Sequence, residues 1–331
     1  QAAAAAKADT VAAGQQERPQ CAGCGAERAT GACLNRERLR SHSADRPGCC
    51  MLRCGSFRLA LDRPLLMGIV NLTADSFSGD GLAGDTAAAV AQARRQIDAG
   101  ADLLDLGAES SRPGALPVRA EDELQRLLPV LAELTGCGVP ISVDTYKPEV
   151  MRAALRHGAS MINDIHGLRM PGAMEAVAES DCAVCLMHMQ GQPLTMQQQP
   201  SYRDVVAEVR DFLRRRVQAA RAAGISDDRL LLDPGFGFGK TLQHNLELLR
   251  ALEQLTSDGL PVLAGLSRKS MLGAITGRPL GERLAASIAA AVLAVERGAR
   301  VLRVHDVAAT RDALAVWQAT RGSDAPGSAA V

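Results

Sequence analysis

Eight short apolar runs in this chain each end in residues able to do chemistry. In order, the ends carry Asn71; Asp105, with Glu109 to Arg112 close behind; Asp144; Asn163; His188; Asp233; Ser267 with Arg268 and Lys269; and Arg303 with His305. Any one of them has a structural explanation, because Asp and Asn routinely start turns and cap helices. Capping alone would scatter Ser, Thr and Gly among the ends, whereas this set is mostly ionisable and amide groups. Sorted by charge, the set divides. The acceptors Asp144 and Asp233 and the amide Asn163 follow the middle runs, and the cations Lys269, Arg303 and His305 follow the last two. Such cations suit phosphate oxygens, with Arg offering a bidentate fork and His and Lys single donors. A carboxylate suits the paired N–H donors on an amidine-like edge of a planar heterocycle, and Lys269 could donate to a ring carbonyl. The two halves describe a small polar heteroaromatic that carries a phosphate.

Two other motifs fail on inspection. The run Asp233-Pro234-Gly235-Phe236-Gly237-Phe238-Gly239-Lys240-Thr241 looks like a phosphate loop, but Pro234 stands where that motif needs its first Gly. Its alternating glycines also miss the dinucleotide spacing, so they are read as a tight strand-to-helix turn that approaches a ligand, with Phe238 able to pack on it. Neither His166 nor His188 has a second His or Cys at a metal-ligand spacing on one element. Met187 and Met189, flanking His188, read as core or pocket wall.

The elements that must carry these ends alternate regularly. Strand-like runs cover Leu65 to Val70, Ala101 to Leu106, Pro140 to Val143, Ser160 to Ile162, Ala183 to Met187, Leu230 to Leu232, Pro261 to Ala264 and Arg300 to Val304. Helical patterns lie between and after them: Thr86 to Ala99, Ala120 to Leu134, Pro148 to His157, Tyr202 to Ala223, Leu242 to Leu255, Glu282 to Arg297 and Val307 to Thr320. Gly100, Gly158, Gly224 and Gly298 fall where a left-handed C-terminal cap is needed. Eight such units predict an α/β protein with a (β/α)8 TIM barrel, in which all strand ends converge on one face. A doubly wound sheet would mass its ligand contacts at one switch point instead.

Composition sets the outer bounds. The 331 residues are 47% apolar and 22% charged but only 2% aromatic, so the core must be aliphatic. Lys plus Arg equals Asp plus Glu at 37 each, leaving no net field for a nucleic acid or an anionic membrane. The longest weakly polar run, Leu284 to Val295, is too short to span a bilayer. Six of the nine cysteines fall in the first 54 residues. Residues 1–50, which open on an alanine run and show no apolar periodicity, are expected to be a disordered or non-native leader. The folded domain is then 51–331, opening at Met51 before the strand-like run Ser56 to Leu61. A zinc knuckle at Cys21, Cys24 and Cys33, with His42 or Cys49 as fourth ligand, lacks the two matched short spacings such sites use. No secretory leader is recognisable, and Cys137, Cys182 and Cys185 read as free thiols, which predicts a cytoplasmic protein.

Residues 56 to 320 as a whole resemble the dihydropteroate synthase family of the folate pathway. The segments that carry the resemblance are Met67-Gly68-Ile69-Val70-Asn71-Leu72-Thr73-Ala74-Asp75-Ser76-Phe77-Ser78, Gly107-Ala108-Glu109-Ser110-Ser111-Arg112-Pro113-Gly114, Val143-Asp144-Thr145, Asn163-Asp164-Ile165, Asp233 to Lys240, Ser267-Arg268-Lys269-Ser270 and Arg303-Val304-His305-Asp306. All seven stand in the family's order. The resemblance implies condensation of 6-hydroxymethyl-7,8-dihydropterin diphosphate with 4-aminobenzoate, with release of diphosphate. It implies that Asp144, Asn163, Asp233 and Lys269 hold the pterin edge and that Arg303 lies against its face. Asn71, Arg112, Arg303 and His305 would hold the diphosphate, with Asn71 also a Mg2+ ligand. Asp144, Lys269, Arg303 and His305 would carry the catalysis, and Ser111, Phe238, Ser267 and Lys269 would form the aminobenzoate pocket. In the family the C–O bond breaks early, and the arylamine attacks a pterin-stabilised cation beside an anion such as Asp144. The loops around Ala74 to Gly84 and Ser110 to Leu116 would close over the site. A homodimer through the late helices is a further family expectation.

The sequence departs from the family at two loop positions. Ala74 stands where Pro is usual, which frees the backbone of the first loop, and Ser111 stands where Thr is usual, which keeps the hydroxyl and loses a methyl. Two other functions compete. A pterin-binding methyltransferase domain would not need the Ser267-Arg268-Lys269 and Arg303-Val304-His305 cations, and a non-catalytic pterin-binding protein should have lost a diphosphate or Mg2+ residue.

Overall fold

The computed structural model describes residues 51–73, 85–112, 114–256 and 259–321. Residues 1–50, with the proposed leader and its cysteines, and the first loop from Ala74 to Gly84 lie outside them. Eight parallel strands close into a barrel: β3 (Leu65–Asn71), β4 (Leu103–Gly107), β5 (Ile141–Asp144), β6 (Met161–Asp164), β7 (Ala183–Met187), β8 (Leu230–Asp233), β9 (Val262–Ala264) and β10 (Ala299–Val304), with β10 pairing back to β3. Each of the eight strand-like runs from Leu65 to Val304 is a barrel strand, whereas the run Ser56 to Leu61 stands outside the barrel. Parallel strands covered on both faces need continuous rather than alternating apolar residues, and these are buried almost throughout.

The helices around the barrel are α1 (Thr86–Asp98), α2 (Ala120–Leu134), α3 (Pro148–Arg156), α4 (Ala173–Ala178), α5 (Val205–Ala222), α6 (Leu242–Arg250), α7 (Glu253–Thr256), α8 (Ser270–Thr276), α9 (Leu284–Glu296) and α10 (Val307–Thr320). Asp85 and Asp204 cap α1 and α5 by accepting from backbone N–H groups. Gly100, Gly158, Gly224 and Gly298 stand at φ between 85° and 97°, the left-handed ends that their spacing predicts. The single helix expected over Leu242 to Leu255 is broken after Arg250, and the short α4 and α8 have no counterpart among the predicted helices.

Ahead of the barrel lies a two-stranded antiparallel hairpin, β1 (Met51–Cys54) and β2 (Phe57–Ala60). Gly55, at φ 58°, supplies the left-handed first position of its two-residue turn. The hairpin sends Leu52 and Cys54 into one apolar cluster with Leu65, Met67, Leu103, Met161, Cys185, Leu231, Leu263 and Val301 from inside the barrel. Arg53 fastens it from outside, bonding Asp181 at 3.0 Å, Asp228 at 2.9 Å and Ser226 at 2.9 Å. The N-terminal end of the barrel is thereby plugged.

Candidate active site

At the opposite end, strand register sets four positions side by side. Asn71 pairs with Gly107, Gly107 with Asp144, and Asp144 with Asn163. Gly107 adds no side chain to this row, although a Cβ there would make only ordinary contacts, 4.0 Å from both Asn71 Oδ1 and Asp144 Oδ2.

Arg303 reaches across the mouth from β10. Its Nε donates to Asp105 Oδ2 at 2.6 Å and its Nη2 to Asp144 Oδ2 at 3.0 Å. Asn163 Nδ2 donates to the same Asp105 oxygen at 3.1 Å. Asp105 is fully buried, and its Oδ1, like Asn163 Oδ1, is a buried acceptor without a protein partner. Leaving such an acceptor unmatched costs about 1 to 3 kcal/mol, so this arrangement is not one that core stability would select. Burial raises the Asp144 carboxyl to about 7, against the pull of Arg303. Burial opposes the Arg303 charge too, but Asp105 and Asp144 outweigh it and hold the guanidinium above its ordinary value. Asp105 stood among the strand ends without a role. Its signal was a lone carboxylate inside the otherwise apolar run Leu103 to Leu106.

The second group centres on Lys269, at the start of α8. Its ammonium donates to the Phe236 carbonyl and lies 4.6 Å over the Phe238 ring. Burial lowers it to about 8, with Asp233 pulling the other way. Asp233 is raised by burial, against Lys269 and a 2.6 Å bond from the Gly235 N–H. Gly237 lets the lysine stem pass, because a Cβ there would stand 3.3 Å from Lys269 Cδ. Phe238 and Tyr146 flank Ile165, Met187, Met189 and Met196, an apolar wall in which Met187 and Met189 have the place their sequence suggested.

Lys240 turns out to be a staple for the glycine turn. Its Nζ bonds Gly235 O at 2.9 Å, Phe238 O at 3.0 Å and His188 Nδ1 at 3.0 Å. The turn is pressed on β7 so closely that a Cβ at Gly235 would sit 1.9 Å from His188 O. His188, at the end of β7, is thus committed to packing, pushed down to about 2 by burial and by Lys240. Asp164, beside Asn163, also serves its loop, accepting from His166 N and Leu168 N at 2.7 Å each.

The last strands contribute Ser267 and His305, whose Oγ and Nδ1 are 2.9 Å apart. Gln96 of α1 supports this corner by donating to His305 O at 3.0 Å. Arg268 turns away to an ion pair with Asp306 at 2.7 Å. Ser111 and Arg112 lie half-buried in the loop that leaves β4. The structure therefore gathers Asp144, Asn163 and Arg303 in one cluster, Asp233, Lys269 and Phe238 in a second and Ser267 with His305 in a third, all from strand ends at one face.

Comparison with known proteins agrees with this architecture. The model of the family described as pterin binding enzyme matches residues 67–305. The chain is 50% identical over 274 residues to a dihydropteroate synthase of Neisseria meningitidis serogroup B, covering 81% of this chain and 96% of that protein. Among solved structures it is similar to a Xanthomonas albilineans dihydropteroate synthase with 4-aminobenzoic acid, at 54% identity and TM-score 0.78 over 83% of this chain and 99% of the other. It is also similar to the Burkholderia cenocepacia enzyme complexed with 7,8-dihydropteroate, at 53% identity and TM-score 0.76 over 82% and 97%. Matches of this extent, together with the barrel and its charged mouth, place the chain in the pterin-binding enzyme family, among the dihydropteroate synthases.

Proposed function

We propose that this chain joins 6-hydroxymethyl-7,8-dihydropterin diphosphate to 4-aminobenzoate, giving 7,8-dihydropteroate and diphosphate. The observation that carries the reading is the buried mouth, where Asp105 Oδ1 and Asn163 Oδ1 have no protein donor while Asp144 and Arg303 stand beside them. A pterin edge, which presents paired N–H donors and a carbonyl, satisfies a set of that kind. Asp144, Asn163, Asp233 and Lys269 hold this edge, and Arg303 lies against the ring. Asn71, Arg112, Arg303 and His305 take the diphosphate. Ser111, Phe238, Ser267 and Lys269 receive the aminobenzoate.

In the reaction, the bond from the pterin methylene carbon to oxygen breaks and diphosphate keeps the electron pair. The arylamine nitrogen forms the new bond to that carbon and sheds a proton to solvent at the mouth. Asp144 faces the developing positive charge and stabilises it, while Arg112, Arg303 and His305 neutralise the departing anion. The donor set also fits Mg2+: Asn71 Oδ1 is a hard oxygen donor in the strand row that also carries Asp144, and among the described residues no group of three acidic, His or Cys side chains forms a metal cage. An ion here would therefore take most of its ligands from the diphosphate and water, as Mg2+ does. Bound there, Mg2+ would supply further charge neutralisation to the leaving group.

Release of diphosphate, measured with and without 4-aminobenzoate, tests the reading. Release that depends on the arylamine supports it. Binding of the pterin without any release would favour a non-catalytic binder, and methyl transfer to a cobalt cofactor would favour the methyltransferase alternative.

The homodimer belongs to the same proposal. The mostly apolar α9, whose one charged residue is Glu296, exposes Leu293, and the neighbouring α8 and α10 expose Ile275 and Val316. An apolar surface of this kind suits a second copy of the chain, which sedimentation would detect. No helix among the described residues is long and apolar enough to cross a membrane. Cytoplasmic residence suits the free thiols of Cys137, Cys182 and Cys185. Residues 51–331 are proposed to suffice for activity, since the hairpin is complete from Met51. A chain begun there should match the full-length protein in turnover and melting temperature.

A further inference from the structure

The loop bearing Ser111 and Arg112 is anchored at its root by an ion cluster that takes no part in the chemistry above. Lys147, three residues beyond Asp144, donates to Glu109 and, at 2.6 Å, to Glu123 Oε2. Glu109 also accepts from the Tyr146 hydroxyl at 2.8 Å. Glu123 comes from the first turn of α2 and is 1% exposed, while the Lys147 and Glu109 side chains are 14% and 10% exposed. One turn further along α2, Arg126 donates to Ala108 O at 3.1 Å. Two adjacent residues of the loop's first segment are thus held by three side chains from two other elements.

A stability role accounts poorly for this arrangement. Removing three ionised side chains from water offsets most of what their attraction contributes, and apolar residues of similar size would serve a core as well or better. What the cluster supplies is position. Glu109 lies two residues before Ser111 and three before Arg112, so a shift at the clamp passes directly to both. Tyr146 joins the clamp to the substrate wall, because its hydroxyl holds Glu109 while its ring packs with Ile165, Met187, Met189 and Met196. We propose that Lys147 is a positioning residue that, through Glu109, sets the second loop for the arylamine and the diphosphate and leaves the pterin floor alone. This rests on the assignment of Ser111 and Arg112 made above.

Lys147→Met separates the two parts of the site. Its Michaelis constant for 4-aminobenzoate is expected to rise on the order of tenfold, the scale on which small misplacements of catalytic groups act. Hydrogen exchange over residues 108–112 should quicken, while affinity for a pterin lacking diphosphate stays unchanged. Lys147→Arg should restore most of the loss, which a purely structural role would not predict. An unchanged Michaelis constant in folded Lys147→Met, or an equal weakening of plain pterin, overturns the proposal. Should Lys147→Met not fold, Glu109→Gln decides by the same readings, since it keeps the Tyr146 bond and the Lys147–Glu123 pair. If the unmodified protein releases no diphosphate, the functional reading fails. The exchange measurement then still reports on the clamp.

Discussion

Where the barrel strands begin, the interior is carbon and sulfur: Leu65, Met67, Leu103, Met161 and Val301 close on Leu52 and Cys54 of the hairpin. Where the same strands end, the interior is Asp105, Asp144, Asn163 and Arg303, with buried acceptors lacking protein donors. One end satisfies itself. The other is built at a cost in stability that a ligand can offset. If that division is sound, substitutions at the two ends should fail in different assays.

Arg303→Ala is expected to do most damage, because it leaves Asp105 and Asp144 facing each other without a cation. Stranding buried charge in this way costs about 3 to 5 kcal/mol. Pterin-diphosphate affinity and turnover should both fall, measured by calorimetry and by diphosphate release. Loss of turnover alone would remove Arg303 from the binding floor. Asp233→Asn should weaken the pterin substrate by about 2 to 5 kcal/mol, the usual result of breaking a buried charged hydrogen bond. Unchanged affinity would take Asp233 out of the floor.

At the plugged end, Leu52→Ala should lower unfolding stability by about 2 to 5 kcal/mol, as core truncations do. Denaturant titration reads this, and the Michaelis constants of both substrates should not move. A kinetic change would show that the two ends are coupled.

Acidity offers a subtler separation. The mouth holds Asp144 up near 7 and Lys269 down near 8. Metal-free affinity for a pterin lacking diphosphate should therefore rise through about 7, as Asp144 ionises, and fall above about 8, as Lys269 discharges. Stability has its own sign. Asp144 binds its proton more tightly folded than unfolded, so ligand-free stability declines as pH climbs from the ordinary carboxylate range to about 7. Lys269 binds its proton less tightly folded, so stability recovers between about 8 and 10.5. Lys269→Arg should abolish the alkaline limb, and its persistence would assign that limb to another group. Ser111→Thr is the smallest change: one methyl group, at most about 0.8 kcal/mol or fourfold in the Michaelis constant for 4-aminobenzoate. A large effect on pterin affinity instead would misplace the second loop.

What the sequence conveyed follows the same division. Strands buried on both faces announce themselves as apolar runs, and helix ends that need left-handed backbone announce themselves as glycine. The barrel and its charged face were therefore readable before any coordinates. The hairpin was readable only in part: the run Ser56 to Leu61 is β2, but β1 was missed because it is only four residues long and adjoins a segment rich in cysteine. The helix over Leu242 to Leu255 was overextended, since its apolar spacing runs on through the break at Ala251 and Leu252. Among site residues, types and order were legible but partners were not. Nothing local distinguishes Arg268, paired to Asp306, from Lys269, or tells that Lys240 staples its own turn. Ala74 lies outside the described residues.

The plugged floor also fixes traffic. A barrel packed solid from its N-terminal end has a single open face, so anything it binds there enters by the same way. On the proposed assignments, the molecule whose edge reaches Asp105 and Asn163 would come first, and the one held by the second loop would stand between it and the solvent. Were the pterin held at that depth, compulsory order would follow from a packed interior that leaves one face to enter by.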